Sequence, residues 1–202
     1  MNVLAFSEYG GRKTERAFFR RGAEVVAREL LGAALVRTVD GVRRAALITE
    51  TEAYVGTHDL ACHASKGRTR RTEIMFGPAG YAYVYLIYGM YHMFNIVTAE
   101  EGDAQAVLLR GAVPLDDWDV VLSGPGKLTR AFGITLADRG LDLTGDDLYI
   151  MKNPQYNLKI ITTPRIGIDY AGEWKNAPLR FVGATLRTTV QRHGLGIYKQ
   201  RR

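Results

Sequence analysis

Two turn signals constrain this chain more than any other feature. Asp40-Gly41 sits between two β-favouring runs, Ala33 to Val39 and Val42 to Tyr54. Asp-Gly tolerates left-handed backbone at both central positions, so the chain reverses there as a tight hairpin. Gly89-Met90 repeats the pattern between Tyr81 to Tyr88 and Met93 to Thr98, and Gln105 to Val113 adds a further apolar strand. Successive hairpins make antiparallel neighbours. Helical patterning is sparser. Glu15 to Leu31 carries Phe18, Phe19, Val25, Val26, Leu30 and Leu31 at mixed three and four spacing, which predicts one amphipathic helix ended by Gly32. Ser123 followed by Pro125 opens a second over Lys127 to Phe132, with Gly133 as its stop. Leu148 to Met151, Lys159 to Thr162, Arg165 to Ile168 and Leu179 to Val182 read as short strands. The class is α+β, a single mixed domain over residues 1–202 with an antiparallel sheet and few helices.

At 202 residues such a domain buries enough surface to need neither disulfides nor a structural metal, and the lone Cys62 cannot form an internal bridge. No basic segment followed by an apolar one opens the chain, and no apolar run approaches the ~20 residues that cross a bilayer. A cytoplasmic protein that does not span a membrane is expected. The 27 Lys and Arg exceed the 21 Asp and Glu, giving +6, which favours an anionic partner. The distribution says more than the total. Lys66, Arg68, Arg70 and Arg71 crowd into a Gly-containing stretch without apolar periodicity, a loop suited to phosphates, while acids gather at Glu100 to Asp103 and Asp116 to Asp119.

Side chains alternate along a strand, so Glu50, Glu52 and Tyr54 share one face. Two carboxylates about 6.5–7 Å apart along a backbone repel unless one is solvated, paired or protonated. A plain solvent-facing strand also accounts for them. Five of the 11 tyrosines, Tyr81, Tyr83, Tyr85, Tyr88 and Tyr91, fall within eleven residues. Cross-strand packing explains the strand tyrosines but not the hairpin tip. There Tyr88 and Met90 put apolar surface in water, as do wedges that enter a base stack.

These residues resemble the alkyladenine (3-methyladenine) DNA glycosylase family. The resemblance rests on Glu50-Thr51-Glu52-Ala53-Tyr54, His63, Met75-Phe76-Gly77-Pro78, Tyr83 to Tyr91, Asn95 and Val107-Leu108-Leu109-Arg110. Ser123-Gly124-Pro125-Gly126-Lys127-Leu128, Arg165-Ile166-Gly167 and Ala171-Gly172-Glu173-Trp174 continue it in the family's order, so it spans roughly Ala17 to Val182. It implies a curved antiparallel sheet with flanking helices, a protruding hairpin, and excision of alkylated or deaminated purines from duplex DNA. Glu52 is then the general base that activates a water, Arg110 orients both, and Glu50 is a bystander. A backbone carbonyl within Ile166 to Ile168 completes the water site. Tyr54, His63 and Tyr85 wall the pocket and stack on the base, and Asn95 disfavours the exocyclic amino group of normal guanine. Tyr88, with Met90, fills the vacated stack, while Lys66, Arg68, Arg70 and Arg71 hold the DNA backbone.

The expected chemistry needs no metal and no cofactor, a wedge on one face suits a monomer acting on double-stranded DNA, and the product is expected to be abasic, since no lysine stands at the matched pocket positions. 3-Methyladenine and 7-methylguanine leave readily as cationic bases. Hypoxanthine and ethenoadenine need protonation, for which the sequence shows no certain acid. Arg70 stands where the family has Pro, and His92, Met93 and Phe94 also depart from its pattern.

Other readings are weaker. Gly124-Pro125-Gly126-Lys127 lacks the first Gly and the final Ser or Thr of a phosphate loop. His58, Asp59, Cys62 and His63 lack zinc spacing, and no zinc-deaminase signature is present. A non-catalytic nucleic-acid-binding module uses the same basic loop and tyrosines but makes Glu52 dispensable. A carbohydrate hydrolase uses Glu50 and Glu52 as an acid and base pair and leaves the basic loop unexplained.

Overall fold

The computed structural model describes residues 5–156 and 158–184. Its helices are α1 (Phe6–Tyr9), α2 (Arg16–Phe19), α3 (Ala23–Glu29) and α4 (Pro125–Ala131). Its strands are β1 (Arg12–Lys13), β2 (Ala34–Val39), β3 (Val42–Tyr54), β4 (Ala82–Ile87), β5 (Tyr91–Thr98), β6 (Gln105–Leu115), β7 (Leu148–Lys152), β8 (Lys159–Thr163) and β9 (Arg180–Ala184). All nine strands join one antiparallel sheet in the order β1-β7-β2-β3-β6-β5-β4, with β9 on β3 and β8 on β9. This is the expected α+β class.

The Asp40-Gly41 turn forms as read, with φ of 50° and 76° and Val39 paired to Val42. The second hairpin differs by one residue. Ile87 pairs with Tyr91, so the loop is Tyr88-Gly89-Met90, and Tyr88 itself takes a left-handed φ of 52°. A non-glycine residue held there costs roughly 1–2 kcal/mol, and the conformation throws its ring outward, 82% exposed.

The single helix expected over Glu15 to Leu31 is two, α2 and α3. Gly22 is a poor helix former, and the break is held by tertiary contacts. The Ala99 N–H donates to the carbonyls of Phe19 and Arg21, and the Ala23 N–H donates to Gln105 Oε1 at 2.8 Å. Both helices still bury their apolar side, with Phe19, Ala23, Val26, Ala27 and Leu30 in the main core and Val25 left outside. The expected strand at Arg165 to Ile168 is a loop, in which Gly167 turns left-handed at φ 76° three residues after Pro164. The other late strands form, with small shifts at their ends.

β3 organises the sheet. Its first half pairs with β2 on one side, its last turn of chain pairs there with β9, and β6 runs along its other side. The seam between the β2 and β9 partners is irregular. Ile48 opposes Ala112, Glu50 opposes Gly111 and Thr51 opposes Leu109, so Thr49 on β3 and Arg110 on β6 have no opposite residue. Such bulges bend a strand and re-aim a side chain. One face of the sheet packs on the main core with α3 and α4; burying residues such as Phe94, Phe132 and Phe181 stabilises the fold by about 1.5–3 kcal/mol each. Over β3 to β6 the other face is covered by two single turns of 3-10 helix, His63–Lys66 and Glu73–Phe76, whose Ala64 and Met75 pack with Tyr83 and Ala106.

Candidate active site

Period-two alternation on four neighbouring strands brings Glu52 and Tyr54 (β3), Leu108 and Arg110 (β6), Met93 and Asn95 (β5), and Tyr83 and Tyr85 (β4) to that second face. A cavity of about 470 Å³ opens among them, closed on its far side by His63, Arg71 and the loop of Ile166 to Ile168. Tyr88 stands at its mouth.

Glu52 lies behind this cavity rather than in its wall, with 0% of its surface exposed. The solvent-facing alternative for the two carboxylates is therefore wrong for Glu52. Its Oε1 accepts the Ile166 N–H at 2.8 Å, its Oε2 accepts the Tyr54 hydroxyl at 2.9 Å, and Arg110 Nη1 lies 3.4 Å from Oε2. Burial pushes the carboxyl above its ordinary 4.5, and Arg110, the Ile166 N–H and the Tyr54 hydroxyl pull the other way. The segment expected to offer a carbonyl to the water site thus offers Glu52 an N–H. Tyr54 does more than wall the pocket, since its hydroxyl is held protonated by burial and by the neighbouring Glu52 charge.

Glu50 is not a bystander in the packing. Its Oε1 accepts from Arg110 Nε at 3.1 Å and from Arg180 Nε at 2.7 Å, while Arg180 Nη1 reaches Thr163 Oγ1. Arg110, left unopposed by the irregular register, forks between the two carboxylates. Gly111 lies close behind Glu50, for a Cβ there would fall 3.2 Å from Glu50 Cβ and 3.3 Å from its Oε2 and would crowd the side chain by a few tenths of an ångström.

His63 Nδ1 is 2.8 Å from the Tyr83 hydroxyl, and its ring lies edge-on to Tyr85 at 4.5 Å. Burial, followed by the Arg71 charge, lowers the imidazole to about 4, so it is neutral near pH 7. Asn95 is buried, and its Nδ2 donates to the Tyr83 and Met93 carbonyls at 3.1 and 3.4 Å. Those carbonyls only accept, which fixes the amide group and leaves Oδ1 as its free acceptor. Tyr81, the first of the five clustered tyrosines, bridges to Asp142 and lies under the Arg16 guanidinium, and it is not among the residues that line the cavity.

The basic loop divides its labour. Arg71 lies 5.0 Å over the Tyr85 ring at the cavity edge. Arg68 pairs with Glu73 at 2.8 Å and covers Phe76, so its charge is partly spent. Lys66 and Arg70 are exposed. Arg139, which the sequence did not single out, donates to the carbonyls of Arg70 and Arg71 and anchors the loop. Beyond the hairpin tip, where Met90 is 64% exposed, Tyr91 packs on Gly126 at the start of α4. The four residues once considered as a metal cluster go separate ways. Asp59 pairs with Arg165, His63 meets Tyr83, His58 meets Trp174, and burial pushes the Cys62 thiol up to about 11.

The family model of methylpurine-DNA glycosylase (MPG) matches residues 17–186 of this chain. A protein of Legionella pneumophila (strain Corby) named "Putative 3-methyladenine DNA glycosylase" is 49% identical over 171 residues, 84% of this chain and 93% of that protein. Proteins of the same name from Anaeromyxobacter sp. (strain Fw109-5) and Myxococcus xanthus (strain DK1622) are each 51% identical, over 84% and 81% of this chain and 88% and 86% of theirs. The family so matched is one of enzymes, hydrolases of N-glycosyl bonds that act in DNA repair. The chain belongs to the methylpurine-DNA glycosylase family.

Proposed function

We propose that this enzyme turns alkylated or deaminated purines out of duplex DNA into the cavity and releases them by hydrolysis. The carrying observation is Glu52, a fully buried carboxylate held by hydrogen bonds from Ile166 and Tyr54 and faced by Arg110, directly behind a cavity with aromatic walls. A carboxylate offers about four acceptor positions. Three donors leave one for a water. Because no part of Glu52 is exposed, we assign to entry of the base the opening that lets this water reach the remaining position, with Tyr54 and Ile166 still bonded to Glu52. The water oxygen then bonds to C1′, its proton passes to Glu52, and the C1′–N bond breaks with its electron pair going to the departing base.

Tyr88 takes the place of the extruded base. Aromatic stacking of this kind is worth about 1–3 kcal/mol, comparable to the few kcal/mol that flipping costs. Lys66, Arg70 and Arg71 meet the phosphates, with Arg68 a weaker contributor. Asn95 excludes normal guanine from the cavity floor, and Tyr54, His63, Tyr83 and Tyr85 surround the base. The product is an abasic site in an unbroken strand, formed by the monomer.

Base release from duplexes carrying 3-methyladenine, 7-methylguanine, hypoxanthine or ethenoadenine tests this reading, with Glu52→Gln as control and strand breaks scored before and after alkali. Release that is lost in Glu52→Gln, with breaks only after alkali, is the expected result. Release at the wild-type rate by Glu52→Gln overturns the role of Glu52.

A further inference from the structure

Arg165 and Asp59 are 106 residues apart in sequence and form an ion pair in which neither side chain has any exposed surface. The pair is bidentate, with Nη1 on Oδ2 and Nη2 on Oδ1, the latter at 2.8 Å. Asp59 also accepts the N–H groups of Val55 and Ala61, which fixes it in the turn that follows β3. Arg165 Nη1 reaches the Ala53 carbonyl at 2.9 Å, between Glu52 and Tyr54 in the chain, and its guanidinium lies 4.8 Å over the Tyr54 ring. The next residue is Ile166, whose N–H is on Glu52.

Burying two charges is a poor way to gain stability, since well-packed apolar side chains of the same volume do as well or better. Among the described residues, this pair even leaves Arg165 Nε without a partner. What it supplies is position. A guanidinium fork on a fixed carboxylate restricts where its backbone can lie, and here that backbone is the loop that touches the catalytic group.

We propose that Arg165 and Asp59 are positioning residues for the hydrolysis, pinning the loop so that the Ile166 N–H and the Tyr54 hydroxyl stay on Glu52. The inference rests on the reading of Glu52 as the base. The ionisable groups around Glu52 are Arg110 on β6, Glu50 and Tyr54 on β3, Tyr85 on β4 and Arg165 in the loop. Loosening the loop removes one N–H that favours the ionised carboxylate and leaves the others in place.

Single-turnover base release across pH, together with the Kd for a lesion duplex, tests it in Arg165→Lys and Asp59→Asn. The maximal rate is expected to fall about 10- to 100-fold, the order of loss that a small misplacement brings. Kd is expected to stay within about threefold, and the acid limb of the pH–rate profile is expected to move to higher pH. Gly167→Ala guards against variants that fail to fold. Its left-handed φ of 76° strains any side chain, a Cβ there would meet nothing beyond its chain neighbours within 4 Å among the described residues, and the buried pair is untouched. It is expected to shift the same limb in the same direction. Folded variants with an unmoved acid limb and a near wild-type rate overturn the proposal. Wild-type release that is lost in Glu52→Gln, found alongside such variants, keeps the reading of Glu52 and rejects this one alone; absence of wild-type release rejects the reading itself.

Discussion

One substitution, Glu to Gln, is expected to act with opposite sign at two carboxylates two residues apart. Glu52 is ionised only at the expense of burial, so its folded value lies above its ordinary 4.5. Between those two values the folded state holds a proton that the unfolded chain has released. Stability from this group is therefore greatest at and below about pH 4.5 and is lost as pH rises through the folded value. Gln in its place removes the buried charge and still accepts from Ile166. Relaxing such a group gains on the order of 1 kcal/mol, which in a chain of this size raises Tm by about 2–4 °C. At pH 4 the gain disappears, because wild-type Glu52 is then protonated as well.

Glu50 is the reverse case. Its Oε1 holds Arg110 and Arg180, and the three side chains are 12–21% exposed. Removing one partner of a fully buried pair costs about 3–5 kcal/mol. Partial exposure, and a Gln oxygen that still accepts, reduce this to about 1–2 kcal/mol, or a Tm lowered by about 2–8 °C. Base release separates them further. Glu52→Gln loses about 10²- to 10⁴-fold, as for a general base, while Glu50→Gln loses about tenfold through a looser Arg110. Thermal unfolding at pH 7 and pH 4, with single-turnover release, reads all of this. Equal loss of activity at both positions, with neither variant stabilised, refutes the reasoning and favours an acid and base pair.

At the hairpin tip, Tyr88→Gly relieves the strain of a φ of 52° and removes the wedge; Tm is expected to hold or rise slightly while the Kd for a lesion duplex weakens about tenfold or more. Lys66→Gln with Arg70→Gln is expected to reduce the slope of log K against log salt by about 2, and Arg68→Gln by less, since Arg68 already pairs with Glu73. The His63 ring, followed by NMR, is expected to stay neutral down to about pH 4. The unfolded chain takes up that proton nearer 6.5, so this histidine makes stability fall as pH drops through the interval between. Arg71→Met, which uncovers Tyr85, is expected to raise release of cationic 7-methylguanine relative to neutral hypoxanthine by about threefold to tenfold, and an unchanged ratio counts against Arg71 competing with the base for that ring.

The local part of the fold was legible because its causes are local. Asp40-Gly41 dictates its own turn, and alternation along β3 places Glu52 beside Tyr54 before any tertiary contact is known. The break between α2 and α3 was not, because it is made by Ala99 and Gln105, which lie more than 75 residues away. Asp59 was legible only as a member of a weak metal-cluster reading, and Arg165 only as the start of a short strand and of one block of the family resemblance. Nothing in either neighbourhood signals a partner 106 residues distant.

The same reasoning explains why Glu50 looked idle. On an unbroken ladder Arg110 would have a residue opposite it and a fixed direction, and a carboxylate at Glu50 would have no call on it. The irregular register frees Arg110, and β9, replacing β2 beside β3, brings Arg180 to the other side of Glu50. Both events occur at one seam, where a strand changes partners. A sheet that was regular through Ile48 to Thr51 could carry the same two glutamates on one face but could not hold a guanidinium between them. The site therefore depends on where the ladder fails, and that is decided jointly by β2, β6 and β9 rather than by β3, the strand that carries Glu52.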